Sequence, residues 1–154
     1  TMPFESRSDA VMKQYASGKY DSRYDSAALV RALKDAGIRI AGNFMIGFRD
    51  ETWESVLRTK AFAAELMNAG LDACGFMIPV PYPGSMDFLH EMEDHEARRL
   101  FLKEPLYFTD RMHWRAKPLF ETKVPGEQLQ EAVHQFWQEL NHRSYVAAKT
   151  ERNL

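Results

Sequence analysis

Two short apolar runs, each broken by glycine and separated by one long helical stretch, constrain this chain more than any other feature. Residues 38–48 read Ile-Arg-Ile-Ala-Gly-Asn-Phe-Met-Ile-Gly-Phe, and residues 71–80 read Leu-Asp-Ala-Cys-Gly-Phe-Met-Ile-Pro-Val. Both are too apolar for a half-solvated strand, and both are short, so each reads as a strand buried in a sheet. Between them Asp50, Glu51 and Thr52 place acids at a helix start, where the N-terminal dipole favours them. Trp53, Val56, Leu57, Ala61, Ala64 and Met67 then recur at helical spacing until Gly70. A buried strand, a helix and a second buried strand make a parallel pair joined by a crossover.

The flanking segments extend the pattern. Ser8 and Asp9 are good N-cap residues for a helix carrying Ala10, Val11, Met12 and Tyr15, which Gly18 stops. Residues 19–25 are polar and read as a loop. A second helix begins near Ser26, with Leu29, Val30 and Leu33 on one face and Gly37 just past its end. After the second strand, Pro81-Tyr82-Pro83-Gly84 is turn chemistry that no ladder can continue through.

Beyond Ser85 the composition changes. Residues 86–104 are charged and read as helical, and 105–124 hold prolines and aromatics and read as an irregular segment. His90, Glu91, Asp94 and His95 cluster within the charged stretch, but such a run reads as a solvated helix face, so no metal ligand is assigned. Val124 and Pro125 precede an amphipathic helix with Leu129, Ala132, Val133, Phe136, Trp137 and Leu140 on one stripe.

Composition removes several function classes. The net charge is −2 with no basic run, which argues against a phosphate-neutralising nucleic-acid surface and favours a small-molecule ligand. No apolar stretch approaches the roughly 18 residues that span a membrane. Cys74 is the only cysteine, so an internal disulfide and a CxxC metal site are excluded. Its apolar surroundings make it a small buried hydrophobe. With no basic-then-apolar leader pattern, these features point to a cytoplasmic protein.

Three blocks then resemble a known family. Phe4-Glu5-Ser6-Arg7-Ser8-Asp9-Ala10-Val11 resembles the E-S-G-S-x-x-[V/I]-L segment of radical SAM enzymes. Ala36-Gly37-Ile38 through Asn43-Phe44-Met45-Ile46-Gly47-Phe48, followed by Glu51-Thr52, resembles their A-G-I…N-F-I-x-G-F-P-x-E-T. Gly70-Leu71-Asp72 and Pro81-Tyr82-Pro83-Gly84-Ser85 resemble G-L-D…P-Y-P-G-T. The blocks stand in order across residues 4–88. The branch they resemble is the cobalamin-domain type, which includes methyltransferases and the oxygen-independent magnesium-protoporphyrin monomethyl ester cyclases. Arg7 stands where that pattern has glycine, and Arg49-Asp50 where it has Pro-Gly.

The resemblance implies an α/β fold: the carboxyl-terminal half of a partial (β/α) TIM-like barrel with parallel strands (residues 1–88), followed by a helical carboxyl-terminal extension (89–154). It implies a longer parent whose CxxxCxxC loop binds a 4Fe–4S cluster, with S-adenosyl-L-methionine on the cluster and a cobalamin domain further upstream. Those ligands are absent here, because one cysteine cannot replace three. The chain alone would then be inactive and would have no catalytic residue of its own. By the same resemblance Glu5 and Ser6 face the ribose or amino-acid part of S-adenosyl-L-methionine, Asn43 and Met45 border its adenosine, and Pro81, Tyr82 and Pro83 flank adenine or substrate. The competing expectation is a non-catalytic α/β binding or scaffold domain. A half-barrel also leaves open sheet edges, so its expected partners are the missing amino-terminal half or a second copy in a homodimer, unless residues 86–124 fold back as a lid.

Overall fold

The structure, a computed structural model, describes residues 1–15, 25–103 and 121–151, with side chains up to Asn141 in the last helix. Three strands, β1 (Met2–Glu5), β2 (Ala41–Met45) and β3 (Ala73–Met77), form one sheet in that order. Both pairings are parallel. Helices α1 (Asp9–Tyr15), α2 (Ser26–Asp35) and α3 (Trp53–Ala69) connect them. Helices α4 (Met86–Glu91), α5 (His95–Lys103) and α6 (Gly126–Glu151) follow. The mixed α/β architecture with a parallel sheet is the one expected. The segment 105–120, with its aromatic residues, and most of the 19–25 loop lie outside the described residues.

The caps follow from the sequence. Asp25 accepts from the Ala28 N–H at 2.8 Å and starts α2. Thr52 accepts from the Ser55 N–H at 3.3 Å and starts α3. Gly70 ends α3 at φ +116°, a left-handed conformation that costs glycine little and other residues much more.

Side chains alternate across the strands. Phe4, Phe44 and Phe76 form a ladder over all three, with centroids 5.6 and 5.4 Å apart. Phe62 of α3 meets Phe4 and Phe44 edge-on, and Phe136 of α6 meets Phe76 edge-on. Such offset and edge contacts suit the ring quadrupoles. Val56, Ala63, Leu66, Leu129 and Val133 complete the buried cluster. Residues from α6 and from the strands therefore share one core.

Two expected stripes need correction. In α3 the buried face is Ser55, Val56, Thr59, Phe62, Ala63 and Leu66, while Leu57 and Ala61 are exposed. The sheet-facing side carries two hydroxyl residues whose polarity is met internally: Thr59 Oγ1 donates to the Ser55 carbonyl at 3.3 Å and Ser55 Oγ donates to Glu51 Oε1 at 3.0 Å. A stripe drawn from apolar residues alone passes them by. In α6 Leu129, Ala132, Val133 and Phe136 are buried as expected, but Trp137 is 42% exposed and Asn141 is buried instead. The strands are also shorter than the apolar runs. Residues 46–48 and 78–80 lie beyond the strands and form loops at the carboxyl edge, with the Ile46 N–H still donating to the Met77 carbonyl at 3.0 Å.

Candidate functional site

Parallel pairing brings the carboxyl ends of all three strands to one edge, where parallel α/β sheets bind ligands. A groove of about 320 Å³ lies there. Glu5, Met45 and Met77, the last residues of the three strands, all line it. Val11, Met12 and Tyr15 of α1 form one side, and Tyr82, Ser85 and Asp87 another.

Glu5 is the most constrained of these. Its φ is +62°, and it is the only non-glycine with positive φ among the described residues. The β1–β2 register slips between Pro3 and Glu5, so the bulge and the left-handed residue together re-aim the chain as β1 ends. A left-handed non-glycine costs of the order of 1–3 kcal/mol and survives only where its surroundings hold it. The next residues supply that hold. Ser6 is buried, with Oγ 3.2 Å from Thr59 Oγ1 of α3. The Arg7 N–H donates to Thr59 Oγ1 at 3.0 Å, and the Ser8 N–H to Ser6 Oγ at 3.0 Å. Ser6 thus anchors the turn to α3, and its hydroxyl does not line the groove.

The sheet's second face is layered by register. Ala41 pairs with Ala73, Asn43 with Gly75, and Met45 with Met77. These six residues are half-buried, whereas Gly42, Phe44, Cys74 and Phe76 on the helix-covered face are buried. Asn43 shares this face with Met45, one layer below the groove. A Cβ on Gly75 would sit 3.7 Å from Asn43 Oδ1.

Of the seven residues expected to hold the cofactor, Glu5, Met45 and Tyr82 come together in the groove. Pro81 is fully buried behind it and Pro83 is exposed in the turn. That turn closes through the Ser85 N–H donating to the Tyr82 carbonyl at 2.9 Å. Tyr82 itself is 58% exposed.

Sequence reading missed Glu51, Asp87 and Arg49. Glu51 is buried, and its Oε2 accepts from the Gly47 N–H at 2.7 Å and the Phe48 N–H at 3.3 Å. Burial pushes its carboxyl above the ordinary value, against the lowering effect of those bonds. It clasps the loop after β2 from within, which places Phe48 against Tyr15 at 4.7 Å between ring centroids. The acid in the family-like block was the available signal. Asp87 is also raised, by burial first, with Arg49 opposing. Among the described lining residues two are carboxylates, Glu5 and Asp87, and none is lysine or arginine. The rest of the described lining is mostly apolar, and Arg49 is near enough to act on Asp87 and Tyr15.

An iron–sulfur cluster does not fit this chain's residues. Three thiolates are required, and Cys74 is the single cysteine. It faces the helix-covered side, is buried, and has its thiol pushed up to about 11 by burial. No group of three metal-ligating side chains occurs among the described residues. His90 instead pairs with Glu93 at 3.3 Å. No described helix is long and apolar enough to cross a membrane.

Comparison with known proteins gives partial matches. No protein-family model matches the chain. It is 40% identical over 68 residues to an uncharacterized methyltransferase of Pyrococcus horikoshii, which covers 44% of this chain and 14% of that protein. It is 30% identical over 112 residues to a putative methylthiotransferase of Methanocaldococcus jannaschii, covering 65% of this chain and 24% of that protein. The chain thus spans no more than about a quarter of either relative. Over those stretches it is similar to one protein described as transferring methyl groups and to another described as transferring methylthio groups.

Proposed function

We propose that this chain is the carboxyl-terminal part of a radical-SAM-type enzyme and that the carboxyl-edge groove holds S-adenosyl-L-methionine. The observation that carries this reading is Glu5. A carboxylate kept in a left-handed conformation at the end of a parallel strand shares the groove with Met45, Tyr82 and Asp87. The sulfonium and ammonium of S-adenosyl-L-methionine are cations carried on an adenosine and a short alkyl chain, and this lining suits both parts. Bound there, the cofactor would supply an alkyl group or a carbon radical to substrate. Glu5 orients its polar end, Met45 and Met77 support its apolar body, and Asn43 offers hydrogen bonds one layer below.

The parent on this reading is a cobalamin-dependent methyltransferase or oxidative cyclase acting on a small molecule, with its cluster held by cysteines outside these residues. The half-buried second face of the sheet supports the longer barrel, since all-parallel sheets are covered on both sides. A second copy of the chain is the competing cover. Sedimentation at micromolar concentration separates them, since a stable dimer would favour the copy.

Calorimetric titration with S-adenosyl-L-methionine tests the groove. Glu5→Gln and Tyr82→Ala should each weaken binding by about tenfold, which is near 1.4 kcal/mol. Binding that neither substitution alters would place the cofactor elsewhere, and no binding at millimolar concentration would sink the reading.

A further inference from the structure

Where the family pattern has a Pro-Gly turn, this chain has Arg49-Asp50, and both residues reach out of the loop. Arg49 Nη2 donates to Glu91 Oε1 at the end of α4, and the two side chains are only 26% and 19% exposed. The Arg49 carbonyl accepts from the Lys123 N–H at 3.2 Å, and Lys123 Nζ lies 3.2 Å from Asp50 Oδ1. Phe48, one residue earlier, packs on Tyr15 of α1. One turn therefore joins α1, α4 and the segment that leads into α6, while Glu51 fixes the turn from inside.

The tie to α4 bears on the groove. Helix α4 has six residues, too few to be stable by themselves. Phe88 is its buried residue, packed on Phe101 of α5 at 5.2 Å. The helix and the turn before it supply Tyr82, Ser85 and Asp87 to the groove. Whatever holds α4 against the β2–α3 loop sets the distance between that wall and the α1 wall.

We propose that Arg49 is a specificity-determining positioning residue, which fixes the width of the groove's mouth by tying the β2–α3 loop to α4 through Glu91. The inference rests on the groove being the ligand site. A Pro-Gly turn has no side chain that could make this connection, so the selectivity it gives belongs to this chain and not to the pattern it resembles. Removing either member takes this shielded ion pair away from α4, so α4 loosens when either is lost.

The test uses the whole chain with Arg49→Met, which keeps the length and removes the charge. Hydrogen exchange of the α4 amides reads the tie without any ligand and should accelerate by about tenfold or more. The exchanged pair, Arg49→Glu with Glu91→Arg, should recover most of that protection. Titrations with S-adenosylhomocysteine and with adenosine read selectivity, and the ratio of their affinities should change by about tenfold. Unchanged α4 exchange would overturn the tie. Faster exchange with an unchanged affinity ratio would overturn the specificity role and leave Arg49 a structural residue. If the unaltered chain binds neither probe, the groove reading fails, while the exchange experiment still decides the tie. If Arg49→Met does not fold, Glu91→Gln makes the same measurements from the α4 side.

Discussion

The side-chain amide of Asn141 stands where a peptide group of a fourth strand would stand beside Cys74. Its Oδ1 accepts from the Cys74 N–H at 2.9 Å, and its Nδ2 donates to the Cys74 carbonyl at 2.9 Å. The same Nδ2 donates to the Trp137 carbonyl at 2.8 Å, one turn back on α6. The outer edge of β3 is therefore sealed at this point by a helix. Of the two strand edges expected to be open, the β3 edge carries this block.

Asn141→Leu should leave the Cys74 N–H and carbonyl buried and unpaired. A group left so costs about 1–3 kcal/mol, and denaturant unfolding should register a loss of that size. The Cys74 amide should also lose protection in hydrogen exchange. Unchanged protection would show that the seal does not depend on the amide.

Phe136 and Trp137 are neighbours with opposite fates, buried and 42% exposed. Phe136 holds Phe76 edge-on at 5.3 Å, so Phe136→Ala should cost about 3–5 kcal/mol. Trp137→Ala should cost well under half of that, since side chains outside the core contribute little. Equal losses in urea unfolding would mean that α6 is rotated from the register described.

Glu51 gives a pH-dependent prediction. Its carboxyl titrates above the ordinary value because of burial, so the folded state holds the proton more tightly than the unfolded one. Its contribution to stability is full in acid and falls as pH rises through the folded-state value. Glu51→Gln keeps an acceptor for Gly47 and Phe48 and carries no charge, so its stability relative to the parent should improve between pH 4 and pH 7. Glu51→Ala strands both N–H groups and should lose about 1–3 kcal/mol at either pH. A Gln variant no better at pH 7 than at pH 4 would contradict the assignment.

Cys74 should behave as an inert thiol. With the folded-state value at about 11 against an ordinary 9.0, an alkylating reagent at pH 8 should modify it only in denaturant. By the same linkage, stability should decline as pH rises from about 9 to 11, where the unfolded chain ionises its thiol first. Rapid labelling of the folded chain would contradict the burial.

Much of the fold was legible because the signals were local. Gly37 and Gly70 marked helix ends, Thr52 marked a start, and the apolar runs marked β2 and β3. The α3 register was not legible, because Ser55 and Thr59 are buried with partners that come from Glu51 and from Ser6, 53 residues away. Trp137 and Asn141 traded places for the same reason: an asparagine looks like a surface residue until its partner, the Cys74 backbone, is known. Glu5, Met45 and Tyr82 were legible as a group through the family blocks. Arg49, Glu91 and Asp87 were not, since their association is made by a loop and a short helix that no periodicity announces.

The residue layers on the half-buried second face of the sheet grow along the strands, from Ala41 and Ala73 through Asn43 and Gly75 to Met45 and Met77. The bulk at the groove's floor is thus two thioethers side by side. Methionine is unbranched and polarizable, and it adapts its shape at little cost. The walls of the groove are pinned by Thr59, Glu51 and Glu91, but its floor is compliant. On the proposed reading, ligands that differ in contour by a methyl group would be absorbed from below without moving a helix, and conversion of either thioether to a sulfoxide would harden and polarise that cushion at once.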